Sequence, residues 1–356
     1  RAEGVASEAV RDAYRAYARR FGGGGAVFGG ALLLFAAAQA SLVATDCWLA
    51  RWSSLPAPQQ EDVALNLGVL AALAALAALL VGVQAAAWPL LCLRASANMH
   101  AEAVRAVLRA PMAYHTATPS GRLVARFSKD VDALDASLPS MLAQAFTCAA
   151  ALLASLATIV ASAPLVAPAV AVAALALIRI VASYRPTAGE AKRLVSVLHG
   201  PIVSLLLEGL GGREYLRAYC QQHAAADEAV ALLEASARAQ TFNIALQRWL
   251  ALRLEALGAA ILLCVSLLCV GARGRVPLGL SGLSLTYSMT LTNLAKYLVN
   301  YATRADAQFA SFDRVQALTA VKSEASAADG DGAAGGGGKA APPREWPTRG
   351  EVVVDA

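Results

Sequence analysis

Six apolar stretches punctuate this chain, at residues 27–48, 63–91, 139–162, 165–181, 249–270 and 280–305, and charged segments separate them. A bilayer core of about 30 Å takes roughly 17–25 helical residues at 1.5 Å each, so every stretch is long enough to cross it. Alanine is abundant in them, and alanine-rich sequence also forms soluble helices. Here leucine, valine and isoleucine fill the same runs, and the polar face of a soluble amphipathic helix is absent. Only 15% of the residues are charged and 58% are hydrophobic, against about 25% charged in a soluble domain. The sequence predicts an all-α, multi-pass membrane protein.

Connection lengths set the topology. The links after the first, third and fifth stretches are short. Those after the second and fourth are long, polar and helical in pattern. Arg94, Arg105, Arg109, Arg122, Arg126 and Lys129 fill the first long link, and Arg185, Lys192, Arg193, Arg213 and Arg217 the second. Basic residues concentrate on the cytoplasmic side, so both long links are expected inside. The net charge of +5 follows from this distribution and requires no nucleic-acid partner. The six cysteines and four histidines have no metal-ligand or disulfide spacing.

Composition divides the chain into four parts. Residues 1–25 read as a basic amphipathic helix lying on the inner leaflet, ending in a glycine-rich bend. Residues 26–320 hold the six spans. Residues 321–345 are a glycine- and alanine-rich linker. Its run ending in Lys339 lacks phosphate-loop spacing, because Ala333 and Ala340 stand where glycine and serine or threonine are needed. Residues 346–356 read as a turn and a β-branched strand.

Three constellations stand out from the apolar background. The first is PSGRLVARFSKDVDALDASLP at 119–139. Pro119 and Gly121 interrupt helix there and allow a reversal. Arg122, Arg126, Lys129, Asp130 and Asp132 solvate the expected tip, and Phe127 offers an apolar anchor. The second is a polar stripe on one face of the sixth span, Thr286, Thr290, Asn293, Tyr297, Asn300 and Arg304, with Lys296 beside it. Polar groups facing lipid are costly, so the stripe is expected to face a cavity or another helix. The third gathers Gln247, Arg248, Trp249, Arg253 and Glu255 at the start of the fifth span. Arg253 and Glu255 are two residues apart and cannot pair on one helix, so each needs a partner elsewhere or water. Gln84 and Trp88 share a face of the second span and are further candidates for a cavity wall.

GRLVARFSKDVD resembles the intracellular loop in the second membrane half of ATP-binding cassette exporters of the C subfamily, the multidrug-resistance-associated type, with Ala125 in place of the usual asparagine. Glu208, Gly212, Arg217 and Tyr219 are similar to that family's second loop, RWLALRLEALG to its fifth span, and Trp346-Pro347 with Gly350 to its entry into the cassette. The resemblance implies a six-helix type I exporter membrane domain with long cytoplasmic helix extensions. It implies coupling helices near 114–127 and 204–215, carried by Tyr114, Ser120, Gly121, Arg122, Arg126, Phe127 and Asp130 in the first loop and by Glu208, Gly212 and Arg217 in the second. The resemblance also implies a solute pathway lined by Gln84, Trp88, Arg248, Trp249, Arg253, Thr290, Asn293, Lys296, Tyr297 and Asn300. Tyr297 and Asn300 replace the tryptophan and arginine usual in the family. The implied partners are membrane lipid, a second transmembrane half, two nucleotide-binding domains and an organic solute. ATP and magnesium would bind in cassettes beyond Ala356, which makes this chain the pathway and not an enzyme. The alternatives are a channel-regulating subunit of the same subfamily or a truncated fragment that transports nothing.

Overall fold

The computed structural model describes residues 14–21, 25–55, 62–162, 164–271, 278–321 and 323–324. The expected linker apart from residues 321, 323 and 324, the terminal strand, the first half of the amphipathic helix, the glycine bend at 22–24 and most of the outer loops, at 56–61 and 272–277, lie outside them. The described residues form a bundle of helices. A short helix α1 covers residues 14–20. Six long helices follow: α2 (Gly25–Ser53), α3 (Val63–Leu108), α5 (Ser120–Ser162), α6 (Ala167–Gly211), α8 (Gln222–Gly271) and α9 (Leu278–Thr319). Two six-residue helices, α4 (Met112–Ala117) and α7 (Arg213–Ala218), lie between α3 and α5 and between α6 and α8.

Helix length explains the loops. α3, α6 and α8 have 46, 45 and 50 residues, or about 70 Å at 1.5 Å per residue, more than twice the hydrocarbon thickness. Each apolar span and its polar link, which follows the span in α3 and α6 and precedes it in α8, are therefore one continuous helix, with Pro89 inside α3 and Pro186 and Pro201 inside α6. α2, α3, α5, the α6 segment and α8 are each long and apolar enough to cross a membrane. α9 is as long, at 42 residues, but its hydropathy is lowered by the polar stripe.

Proline places the first reversal. Pro111 and Pro119 occupy the N-caps of α4 and α5, and Thr118 is extended, as expected before proline. The turn therefore falls at residues 109–119, and Gly121 sits inside the first turn of α5 with open space around it. The expected tip at 114–127 narrows to α4. The second reversal runs through Gly212, whose N–H bonds the Glu208 carbonyl at 2.7 Å, and through Cys220 at φ 55°. The expected 204–215 segment therefore divides: residues 204–211 belong to the end of α6, and the short helix α7 begins at Arg213 and runs past the expected end to Ala218.

Three apolar clusters hold the bundle. At the inner end, Tyr17 and Phe21 pack with Trp88, Met99, Leu138, Phe309, Phe312 and Leu318. Leu152, Ile159, Val170, Ile261, Val265 and Leu291 form the second, and Tyr184, Leu250, Leu254 and Val299 the third. α9 touches all three. Its contact with α8 is close: a methyl group on Gly258 would overlap the Thr292 hydroxyl and sit 2.9 Å from the Thr292 Cβ. Gly258→Ala is expected to lower stability by about 1–3 kcal/mol through overpacking, measured by thermal melting in detergent. Adding Thr292→Ala removes the overlap with the hydroxyl and should return part of the loss, since the Cβ at 2.9 Å remains.

Polar contacts tie the ends. On the outer side, the Tyr287 hydroxyl donates to Asp46 at 2.8 Å, the Trp48 indole to the Asn66 carbonyl at 3.3 Å, and the Gly279 N–H to Ser54 at 3.2 Å. On the inner side, the Tyr14 hydroxyl donates to Asp306 at 3.2 Å, and Arg185 pairs with the same carboxylate. Burial, reinforced by Asp306, pushes the Tyr14 phenol well above its ordinary value and keeps it a donor. Arg20 of α1 pairs with Glu102 of α3.

Candidate functional site

Where α6, α8 and α9 run side by side at the level of the third cluster, their facing residues leave a cleft of about 780 Å³. Lys192 enters it from α6, Asn243, Gln247 and Arg248 from α8, and Lys296, Asn300, Thr303, Arg304 and Gln308 from α9. Met141, Tyr184 and Leu250 supply apolar wall. The helical period explains the gathering. Lys296, Asn300, Thr303 and Arg304 are spaced by one turn of α9, while the opposite face of that helix is buried at Ala295, Val299 and Ala305.

The cleft is electrostatically one-signed. Its lining carries four cations and no carboxylate. Lys296 is partly offset by Glu255 of α8 at 2.7 Å. Lys192, Arg248 and Arg304 form no ion pair with another described residue. A recess lined by one sign of charge raises the local concentration of opposite charge. The tyrosine ring and aliphatic wall beside those cations suit an amphipathic organic anion.

The ten pathway candidates separate into groups. Arg248, Lys296 and Asn300 line the cleft. Thr290, Asn293 and Tyr297 continue its stripe toward the outer end of α9, on a face this chain leaves exposed. Trp249 and Arg253 lie on the outer side of α8, with the guanidinium 5.4 Å from the indole centroid, a cation–π contact within one helix. Lys296 is not a free replacement for the arginine usual at position 300, because Glu255 holds it. Trp88 does not line the cleft: it is 3% exposed, and its indole N–H donates to the Pro139 carbonyl at 2.9 Å. Gln84 and the edge of Trp88 both border a separate cavity of about 220 Å³ between α2 and α3. Lys192, Tyr184 and Gln308 were not anticipated. The first two lie beyond the apolar part of the fourth span, and only the unbroken length of α6 brings them to the cleft.

The two loop tips differ in character. Around α7, the ends of α6 and α8 leave an apolar groove of about 760 Å³, lined by Leu205, Leu206, Tyr215, Leu216, Tyr219 and Leu232, with Glu208 and Gly212 at its edge. Arg217 lies on α7, outside that lining. Around α4, Tyr114 is half-buried and its ring lies 5.7 Å from that of His115. Ser120, Gly121 and Arg122 are exposed on the first turn of α5. Phe127 does not project from the tip. Its ring meets His100 of α3 at 5.6 Å and packs on the inner cluster. Asp130 likewise is buried and paired with Arg314 of α9. These two departures share a cause: beyond residue 120 the chain has already rejoined the bundle, with Arg126 half-buried at the junction.

Residues 28–294 match the family model of the ABC transporter transmembrane region. Human ATP-binding cassette sub-family C member 10 is 32% identical over 73% of this chain and 18% of its own length. Human sub-family C member 3 is 28% identical over 90% of this chain and 21% of its own length. The metal resistance protein YCF1 of Saccharomyces cerevisiae is 29% identical over 86% of this chain and 20% of its own length. The chain thus spans about a fifth of the length of these relatives. With this match, the long apolar helices and the two short tip helices, the chain belongs to the ABC transporter transmembrane region family, as an integral membrane domain of the C-subfamily type.

Proposed function

We propose that this chain is one half of the solute path of an ATP-driven exporter, moving organic solutes or conjugates by alternating access. The observation that carries the reading is the cationic cleft between α6, α8 and α9, continued outward by the exposed polar face of α9. Lining that opens to one side of a bundle needs a second wall, and a second transmembrane half would supply it. The apolar groove at α7 and the exposed turn at α4 are proposed seats for two nucleotide-binding domains. ATP and magnesium would be held there, outside this chain, and supply the free energy of the cycle. The part played by this chain's residues is mechanical and electrostatic. α6 and α8 are continuous helices from the α7 tip into the cleft wall, so a displacement of that tip reaches the cleft without intervening loops. Lys192, Arg248 and Arg304 hold solute charge, and the aromatic wall holds its apolar part. A nucleotide can bias the path only by favouring one of its two states. The names of relatives as multidrug and metal resistance proteins agree with an exporting role.

The test is ATP-dependent uptake into inside-out vesicles holding the full-length protein. An amphipathic organic anion is expected to accumulate with ATP and not with a non-hydrolysable analogue. No uptake, together with altered current through a co-expressed channel, would replace this reading by a channel-regulating one.

A further inference from the structure

Asp130 sits in the charged run RFSKD, yet its side chain is only 6% exposed, while Ser128, Lys129 and Asp132 around it face solvent. A carboxylate withdrawn from water needs fixed donors in return. Arg314 of α9 supplies them as a fork. Its Nε donates to Oδ2 at 2.9 Å and its Nη2 to Oδ1 at 2.5 Å, and Nη2 also donates to Ser311 Oγ at 2.9 Å. Two donors on one planar group fix direction as well as distance.

Local backbone aims the acid. Arg126–Asp130 and Ala133–Ser137 are π-helical turns of α5. Such turns widen a helix, rotate the side chains that follow, and are often found at functional places. The first turn directs Asp130 to α9. The second directs Asp135 to α3, where it accepts from the Ser96 hydroxyl. Leu134 and Leu138 pack in the same cluster as Phe312, Val315 and Leu318. A short stretch of α5 is thus bonded to both α3 and α9 just after the loop tip.

We propose that Asp130 and Arg314 are positioning residues, a clamp that makes α4, the inner end of α5 and the inner end of α9 move as one body. Arg304 lies ten residues before Arg314 on α9, about 15 Å along the same rod, so motion of the clamp is motion of the cleft wall. The functional part of this inference rests on the exporter reading; the mechanical part does not. Three variants of the full-length protein separate them: Arg314→Lys, which keeps the charge and loses the fork, Asp130→Asn, and the exchanged pair Asp130→Arg with Arg314→Asp.

Distances between spin labels on His115 and Ala317, carried by non-natural side chains, report the clamp directly. Solute moved per ATP hydrolysed reports its use. The single variants are expected to fold but to melt below wild type, because each weakens a buried charge pair, to broaden the distance distribution, and to lower solute moved per ATP by about fivefold or more. The exchanged pair should restore both. A wild-type distance distribution in Arg314→Lys and Asp130→Asn would overturn the clamp. Broadened distances with unchanged coupling would also overturn it, as a structural pair without a role in transmission. A wild-type protein that moves no solute defeats the exporter reading alone, since the distances still decide the clamp.

Discussion

Trp88→Ala is expected to destabilise the domain by about 3–5 kcal/mol, a large share of what holds a domain folded. The indole lies where α1, α2, α3 and α5 converge. Its ring centroid is 5.5 Å from Phe146, 5.6 Å from Phe35, 6.1 Å from Phe21 and 6.2 Å from Phe28. In a bilayer, lipid tails are as apolar as a helix surface, so the loss is one of close packing and not of burial from water. Aromatic pairs in these edge and tilted geometries contribute beyond their contact area. The N–H bond to Pro139 adds a second element, because it joins α3 to α5 at the start of the apolar part of the latter. Trp88→Phe keeps a ring and removes the donor, and should cost about 1–3 kcal/mol. Thermal melting of both variants in detergent checks the order. A loss below about 1 kcal/mol for Trp88→Ala would mean that the aromatic cluster relaxes around the gap.

Arg248→Ala is expected to weaken binding of an organic anion by tenfold or more, roughly, while leaving a neutral solute of similar shape within about twofold. A hydrogen bond to a charged group contributes about 1.5–3 kcal/mol, and about 1.4 kcal/mol is tenfold in affinity. Arg248 is a stronger choice than Lys296, whose charge Glu255 already engages at 2.7 Å. It is also safer than a core residue, since its side chain is exposed in the cleft. Arg248→Lys should fall between, because a point charge cannot offer the planar fork. Asn300→Arg works in the opposite direction, adding a fifth cation beside the four in the lining. It should raise the ratio of anionic to neutral solute flux.

Much of the architecture could be read from the residues because membrane crossing imposes length and composition on each helix. The second span and its extension to about residue 109 coincide with Val63–Leu108. The first span coincides with the centre of Gly25–Ser53. The stripe from Thr286 to Arg304 does lie on one exposed face of α9, as its spacing required. Side-chain destinations were less legible. Trp88 and Gln84 share a face of one helix, but nothing local says that four rings from other elements fill that face at Trp88. Asp130 reads as a solvated charge among charges. Its partner lies 184 residues away, and only the π turns and the run of α9 bring Arg314 to it. The partner that Glu255 required was Lys296, again on another helix. In each case pattern along one helix identified the face, and packing between helices decided its use.

The cleft between α6, α8 and α9 is the proposed seat of the travelling solute. Its most direct test is the ATP-dependent uptake of a matched anionic and neutral solute by full-length wild type and Arg248→Ala in inside-out vesicles, at equal expression and equal basal ATP hydrolysis. Saturable uptake of the anion by wild type is expected, with a rise in its half-saturating concentration of about tenfold in the variant and neutral uptake unchanged. Equal anion uptake in both proteins across the concentration range would place the path elsewhere.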